Sequence, residues 1–306
     1  MQSNRKVYII GETTFDIIFK NDQPQKAKVG GSQLNTCVSI GRLHVPVEFI
    51  TMIGNDQVGD IAWRFLNDNN ISVDYVTRYE GNSRVALAFL DQHNNAHYTF
   101  FKPEVEKSLK FPEPRQDDIV IFGSSFAVKE EGREELMRFM ERSSKNGAII
   151  LYDPNFRKTN ARDLNQIKGK VEHNIRFADV VKGSDEDFAN LYDVNDAQGA
   201  FEVLSEIKRI PLIYTTGEKR VEVKSPSFEK SYPVPAIQPV STIGAGDAFT
   251  AGLIYRLIRM DIRKKEINSM NEQQWDQVVQ TSTAFAQHVC KHYDNYLSGS
   301  FAEKQQ

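Results

Sequence analysis

From Asp117 onward the chain alternates short apolar runs with amphipathic stretches, and this alternation limits the possible folds more than any other feature. Ile119 to Phe122, Ala148 to Tyr152, Asp179 to Val181 and Leu212 to Thr215 read as strands. Between them Leu136, Phe139 and Met140, then Phe188, Leu191 and Tyr192, then Ala197, Ala200, Phe201 and Leu204 recur at helical spacing. Repeated strand–helix units of this length predict a parallel sheet covered by helices on both faces. Val7 to Ile10, closed by Gly11-Glu12, and Val47 to Ile53 are further runs of the same kind. Ligands of such sheets gather beyond the carboxyl ends of the strands, so the polar residues just past these runs are the candidates for function.

Other stretches have a different period. Phe15, Ile17 and Phe19 alternate with polar residues and lead into the turn NDQPQK, as in a hairpin with one wet face. Val73 to Thr77, Arg84 to Leu90 and His97 to Phe101 follow one another without a helix and predict an antiparallel meander. Together these segments would form a small lid sheet. His93 and His97, in or beside a polar turn, read as solvated surface residues. Gly30-Gly31-Ser32 opens a helix through about Arg42, with Ser32 as a candidate N-cap. Trp275, Val278, Val279, Ser282 and Ala286 mark a final helix packed on the sheet, and the ending SGSFAEKQQ reads as frayed.

Composition narrows the function classes. The 306 residues, 40% hydrophobic and 10% aromatic, suffice for a sizeable core. A net charge of −3, a pI near 6.1 and the lack of a basic stripe argue against nucleic acid or an anionic membrane as partner. No segment approaches the roughly 18 apolar residues of a membrane span, and a cytoplasmic protein is expected. Cys37 and Cys290 lie far apart and outside metal-type spacing, so both read as reduced thiols. The first strand is not followed by G-x-G-x-x-G, which argues against a dinucleotide-binding sheet.

The stretch with the most chemistry is Ser241-Thr242-Ile243-Gly244-Ala245-Gly246-Asp247-Ala248-Phe249. It opens a helix, AGDAFTAGLIYRLIRM, that is apolar nearly all round and should be central. The first turn of a helix has backbone N–H groups without intrahelical partners and carries partial positive charge, so it favours anions such as phosphate. Small residues at 244 to 246 let a tetrahedral oxyanion approach the main chain, and Asp247 can take a proton from an attacking hydroxyl. Taken alone, the same string also fits a tight turn whose Asp merely complements the helix end.

The whole nine-residue string resembles the C-terminal signature of the PfkB, or ribokinase-like, carbohydrate kinase family. GGSQLNTCVSIGRL resembles its N-terminal signature and GETTFD its opening, while Asp153-Pro154-Asn155-Phe156-Arg157, Ser184 to Asp187 and Thr215-Thr216-Gly217 resemble weaker motifs in the same order. The resemblance implies a three-layer α/β/α sandwich with a mainly parallel central sheet and a small β-sheet lid. One domain would span 1–306, its lid formed by about 12–29 and 73–103. It implies an ATP-dependent sugar kinase. Gly244, Ala245 and Gly246 would form an anion hole and Asp247 the base. Asp16, Gly30, Gly31, Asn35 and Arg157 would bind sugar. Thr215 and Gly217, with Gly244 and Gly246, would bind nucleotide, and Asp187 would serve Mg²⁺ through water.

Departures are visible too. The family has Asn-x-x-Glu where Ser184 and Asp187 stand, and Asp-Thr-Thr where Ser241-Thr242-Ile243 stands; that leading Asp helps to hold a monovalent cation in some relatives. A ketose such as fructose is the expected acceptor, with ribose, 2-keto-3-deoxygluconate or a nucleoside as alternatives. For an acidic acceptor Arg84, Lys102 and Arg157 are the candidate cations. A catalytically silent sugar or nucleotide sensor is the reading from another class. Exposed lid strands lead to the expectation of a homodimer through the lid.

Overall fold

The computed structural model describes residues 5–92, 96–103, 108–156 and 164–305. Its strands are β1 (Val7–Ile10), β2 (Thr14–Lys20), β3 (Gln23–Gly30), β4 (Val47–Gly54), β5 (Val76–Tyr79), β6 (Val85–Leu90), β7 (Ala96–Phe101), β8 (Ile119–Gly123), β9 (Ile149–Asp153), β10 (Val180–Ser184), β11 (Leu212–Thr215), β12 (Arg220–Lys224) and β13 (Glu229–Pro233). The α-helices are α1 (Ser32–Arg42), α2 (Gln57–Asp68), α3 (Arg133–Lys145), α4 (Leu164–Phe177), α5 (Asp185–Tyr192), α6 (Ala197–Ile207), α7 (Ala245–Arg259), α8 (Glu272–Cys290) and α9 (Gly299–Glu303).

The main sheet runs β13-β12-β11-β10-β9-β8-β1-β4-β5. It is parallel from β11 to β5, with β12 and β13 added antiparallel at one edge. Successive residues of each central strand point to opposite faces. Val7 and Ile9 of β1, Ile119 and Ile121 of β8, and Ile149 and Leu151 of β9 therefore meet α1, α2, α7 and α8 on one side. Tyr8 and Ile10, Val120 and Phe122, and Ile150 and Tyr152 meet α3 to α6 on the other. The result is an α/β/α sandwich. Each fully buried side chain of this kind contributes about 1.5–3 kcal/mol relative to exposure.

A second sheet, β3-β2-β6-β7, forms the lid. Its composition corrects the expected meander. Only the runs at β6 and β7 join the β2–β3 hairpin, and β6 pairs with β2 in parallel. The run at 73–77 feeds β5, which is the edge strand of the main sheet, parallel to β4 from Thr51↔Val76 to Gly54↔Tyr79. The crossover through α2 puts it there, and Val76 and Tyr79 are buried as the main sheet requires.

The β12–β13 hairpin has no counterpart among the expected strands; its buried Val221 and Val223 alternate with less buried neighbours. The ending is not frayed: Ser298 caps α9, Ala302 is buried, Phe301 stacks on His288 and the Tyr255 hydroxyl donates to the Gln305 carbonyl.

Candidate active site

A cleft of about 1160 Å³ opens between the carboxyl ends of the main-sheet strands and the lid. Gly11 and Glu12 after β1, Ser124 and Ser125 after β8, Asn155 and Phe156 after β9, and Lys182 and Glu186 at β10–α5 line one part of it. Asp16, Tyr98, Phe100 and Lys102 come from the lid, and Gly244, Gly246 and Asp247 from the α7 turn. A smaller pocket of about 10 Å³ under Thr13, Met52 and Arg84 has room for no more than a water.

Asp247 is the third residue of α7 and sits partly buried on the cleft wall. Its Oδ1 accepts from Ser32 Oγ at 2.6 Å and its Oδ2 from Asn35 Nδ2 at 2.8 Å. Thr36 Oγ1 donates to the Asp247 carbonyl at 3.0 Å, and Asn155 Nδ2 donates to Ser32 Oγ at 2.8 Å. Ser32 is thus the first residue of α1, bound to the carboxylate; the N-cap is Gly31. Loss of hydration raises the Asp247 carboxyl to about 6, against the lowering effect of Ser32, Asn35 and the nearby Lys182 ammonium. A carboxyl poised there can act as a general base near neutrality.

Gly244 caps α7 with φ 84°, in the left-handed region, and a Cβ would lie 2.3 Å from the Asn295 carbonyl oxygen. Both facts demand glycine. The turn departs from expectation at Ala245, whose N–H donates to the Thr242 carbonyl at 3.2 Å. Among the described residues the Gly244, Gly246 and Asp247 amides have no backbone acceptor, so of the expected 244–246 set Ala245 drops out and Asp247 joins.

Asp16 lines the cleft and its Oδ1 accepts from Thr14 Oγ1 at 2.7 Å; burial pushes its carboxyl up. Gly30 closes β3 opposite Thr14. Gly31 has φ 133° and a Cβ there would meet the Glu12 carbonyl at 2.4 Å. Asn35 Oδ1 is buried without a partner among the described residues, which leaves an acceptor for an incoming hydroxyl. Sequence reading did not assign Glu12, which lines the cleft and accepts from Arg84 Nη1 at 2.8 Å and pairs with Lys129. Nor did it assign Lys182, Asp153 or Asn295. Asp153 opens a string already singled out, while Lys182 lies inside strand β10 and Asn295 in the stretch after α8, and no local pattern marks these two.

The nucleotide and metal candidates are spread more widely. Thr215 ends β11 and Gly217 lies in the following turn with φ 57°, both beyond the lining of the cleft. Asp187 is not open to a metal. Its Oδ2 accepts from Ser184 N at 2.7 Å and Ser184 Oγ at 2.8 Å, its Oδ1 from Phe156 N at 2.5 Å, and the carboxylate completes the capping box of α5. Its neighbour Glu186 faces the cleft instead. Among the described residues no group of three or more His, Cys, Asp and Glu side chains is arranged to hold a metal ion. Arg157 lies outside the described residues. No helix among them is long and apolar enough to cross a membrane.

Residues 4–298 match the family model described as pfkB family carbohydrate kinase. The chain is 25% identical over 259 residues to the fructokinase of Vibrio alginolyticus, covering 83% of this chain and 84% of that one. It is 24% identical over 265 residues to the aminoimidazole riboside kinase of Salmonella typhimurium, covering 85% and 83%. A fructokinase double mutant from Vibrio cholerae O395, solved with fructose, ADP and potassium ion, superposes with a TM-score of 0.85 at 21% identity over 99% of both chains. The chain therefore belongs to the pfkB family of carbohydrate kinases and is an enzyme that transfers a phosphoryl group to an alcohol acceptor.

Proposed function

We propose that this kinase transfers the γ-phosphoryl group of ATP to a hydroxyl of a small sugar, and that the sugar is a ketose such as fructose. The observation that carries the reading is Asp247, held by Ser32 and Asn35 at the start of α7, on the wall of a cleft with its carboxyl raised to about 6. Asp16, Gly31 and Asn35 would hold the acceptor so that one hydroxyl meets Asp247. The carboxylate takes the hydroxyl proton, the oxygen attacks the γ-phosphorus, and the bond to the departing ADP breaks. The Gly246 and Asp247 amides and the positive end of α7 stabilise the charge that develops on the phosphoryl oxygens. Closure of the lid excludes water, which would otherwise compete as acceptor. Thr215 and Gly217 would border the nucleotide, with Gly244 beside its phosphates.

Two features favour a neutral acceptor. Curated relatives include fructokinases, and of the cations considered for a sugar acid Arg84 is engaged by Glu12, which leaves Lys102 of the lid as the one described candidate in the cleft lining. The sensor reading is set aside because the chain is a kinase of this family and because a binding protein has no need of a carboxylate raised toward neutrality. Mg²⁺ carried by ATP would neutralise phosphate charge, and Glu186, the exposed carboxylate at the α5 end of the cleft, is the side chain here that would hold it through water.

A dimer through the lid is supported by the face turned away from the cleft. Phe15, Ile17 and Phe19 pair across it with Val85, Leu87 and Phe89, and Phe89 and Phe101 are 38% and 57% exposed. ADP release measured with ketoses, aldoses, sugar acids and nucleosides tests the substrate: fructose or a close ketose should give the highest kcat/KM. A sugar acid or nucleoside preferred by tenfold or more refutes the ketose assignment.

A further inference from the structure

Lys182 is 8% exposed on β10, and its Nζ lies 2.8 Å from Asp153 Oδ2 at the end of β9. The same carboxylate oxygen accepts from Thr250 Oγ1 at 3.2 Å, and Thr250 stands one turn past Asp247 on α7. Lys182 Nζ is also 3.3 Å from the position a Cβ would take on Gly246. The ammonium is therefore pressed against the first turn of α7, and it lines the cleft beside Asp247.

A buried ion pair is a poor source of stability, because desolvating both charges offsets most of their attraction and an apolar pair would serve as well. Its place beside the base supplies a better reason. From α1 the carboxylate of Asp247 meets only the neutral Ser32 and Asn35. From β10 it feels the cation Lys182 and from β9 the anion Asp153, while Asp187 of α5 acts on Lys182. Glu12, Asp16 and Glu186 line the same cleft, with Lys102 and with Lys129, the last paired to Glu12. Burial and the Asp153 carboxylate push Asp247 toward the neutral acid, which cannot accept a proton.

We propose that Lys182, locked in place by Asp153 and Thr250, is a positioning residue for phosphoryl transfer: its ammonium keeps Asp247 ionised inside the cleft, and Asp153 limits how strongly it does so. The proposal rests on Asp247 being the base, as proposed above. It makes the two partners of one ion pair act on Asp247 with opposite sign, which a merely structural pair would not do.

The test follows the Asp247 carboxyl directly, by ¹³C NMR of protein labelled at the aspartate carboxyl carbons, with its resonance identified by its loss in Asp247→Asn. The pH dependence of kcat/KM with D-fructose and Mg·ATP is measured in parallel. The native midpoint is expected near 6. Lys182→Met should raise it by about one pH unit or more, so that kcat/KM at pH 6 falls about fivefold or more further than at pH 9. Asp153→Asn should lower it, and Lys182→Met/Asp153→Asn, which removes both charges, should fall between the two. Midpoints that stay within about 0.2 of the native value, or that move the same way in both single variants, overturn the proposal. Where Lys182→Met does not fold, the signed shift in Asp153→Asn and in the double variant decides. Full turnover in Asp247→Asn would instead overturn the base assignment, and the NMR midpoints would still decide the electrostatic claim.

Discussion

Replacing Gly244 by alanine separates two costs that the structure makes measurable. At φ 84° an L-residue at this position pays roughly 1–2 kcal/mol for its left-handed backbone. The added Cβ would also lie 2.3 Å from the Asn295 carbonyl oxygen and 2.7 Å from its Cα, and backbone atoms cannot turn away as a side chain could. Opening that contact to 3.0 Å moves the α7 turn or the loop at Asn295 by about 0.7 Å. Gly132 is the internal control, since it has φ 72° and nothing within 4 Å of its Cβ position. Gly132→Ala should therefore cost only the backbone part, about 1–2 kcal/mol, with kcat unchanged. Gly244→Ala should cost about 1–3 kcal/mol more, and displacement of the α7 amides by most of an ångström should lower kcat by about 100-fold. Denaturant unfolding and steady-state kinetics of the two variants side by side provide the assay. Equal losses of stability, with native kcat in Gly244→Ala, would refute the claim that this turn is held against Asn295.

Other outcomes follow from the same geometry. The carboxylate form of Asp247 is the active one, so kcat/KM should fall as pH drops through about 6, whereas an unperturbed aspartate would place the limb near 3.8; a limb below 5 contradicts the reading. Because the folded state holds this proton more tightly than the unfolded chain does, the contribution of Asp247 to stability declines as pH rises from 3.8 toward 6. Asp247→Asn should then lower turnover by 10²–10⁴ or so while fructose binding by calorimetry persists. Glu186→Gln should raise the Mg²⁺ concentration needed for half-maximal turnover, and Asp187→Asn should instead lower thermal stability; the reverse pattern would restore Asp187 as the metal residue. Phe101→Asp should convert a dimer to monomer in light scattering, and a native chain that is monomeric at micromolar concentration argues against lid pairing.

What could be read from the chain alone was what local period and turn chemistry encode. Continuous apolar runs alternating with helical stretches specified the parallel sheet and its two helical layers, because a strand covered on both faces has no polar side. Gly244 to Asp247 announced a helix start with room for an anion, and Gly30-Gly31 announced another. Contacts between distant segments had no such signature. Ser32 and Asp247 are 215 positions apart and meet only because α1 and α7 pack side by side on one face of the sheet. The same holds for Lys182 with Asp153 and for Asn295 behind Gly244, none of which any spacing rule connects. Asp187 and Glu186 differ by one position, and only the orientation of α5 decides which caps the helix and which faces the cleft. Likewise β5 has the residues of a lid strand and lies in the main sheet, since its place depends on where the α2 crossover returns the chain.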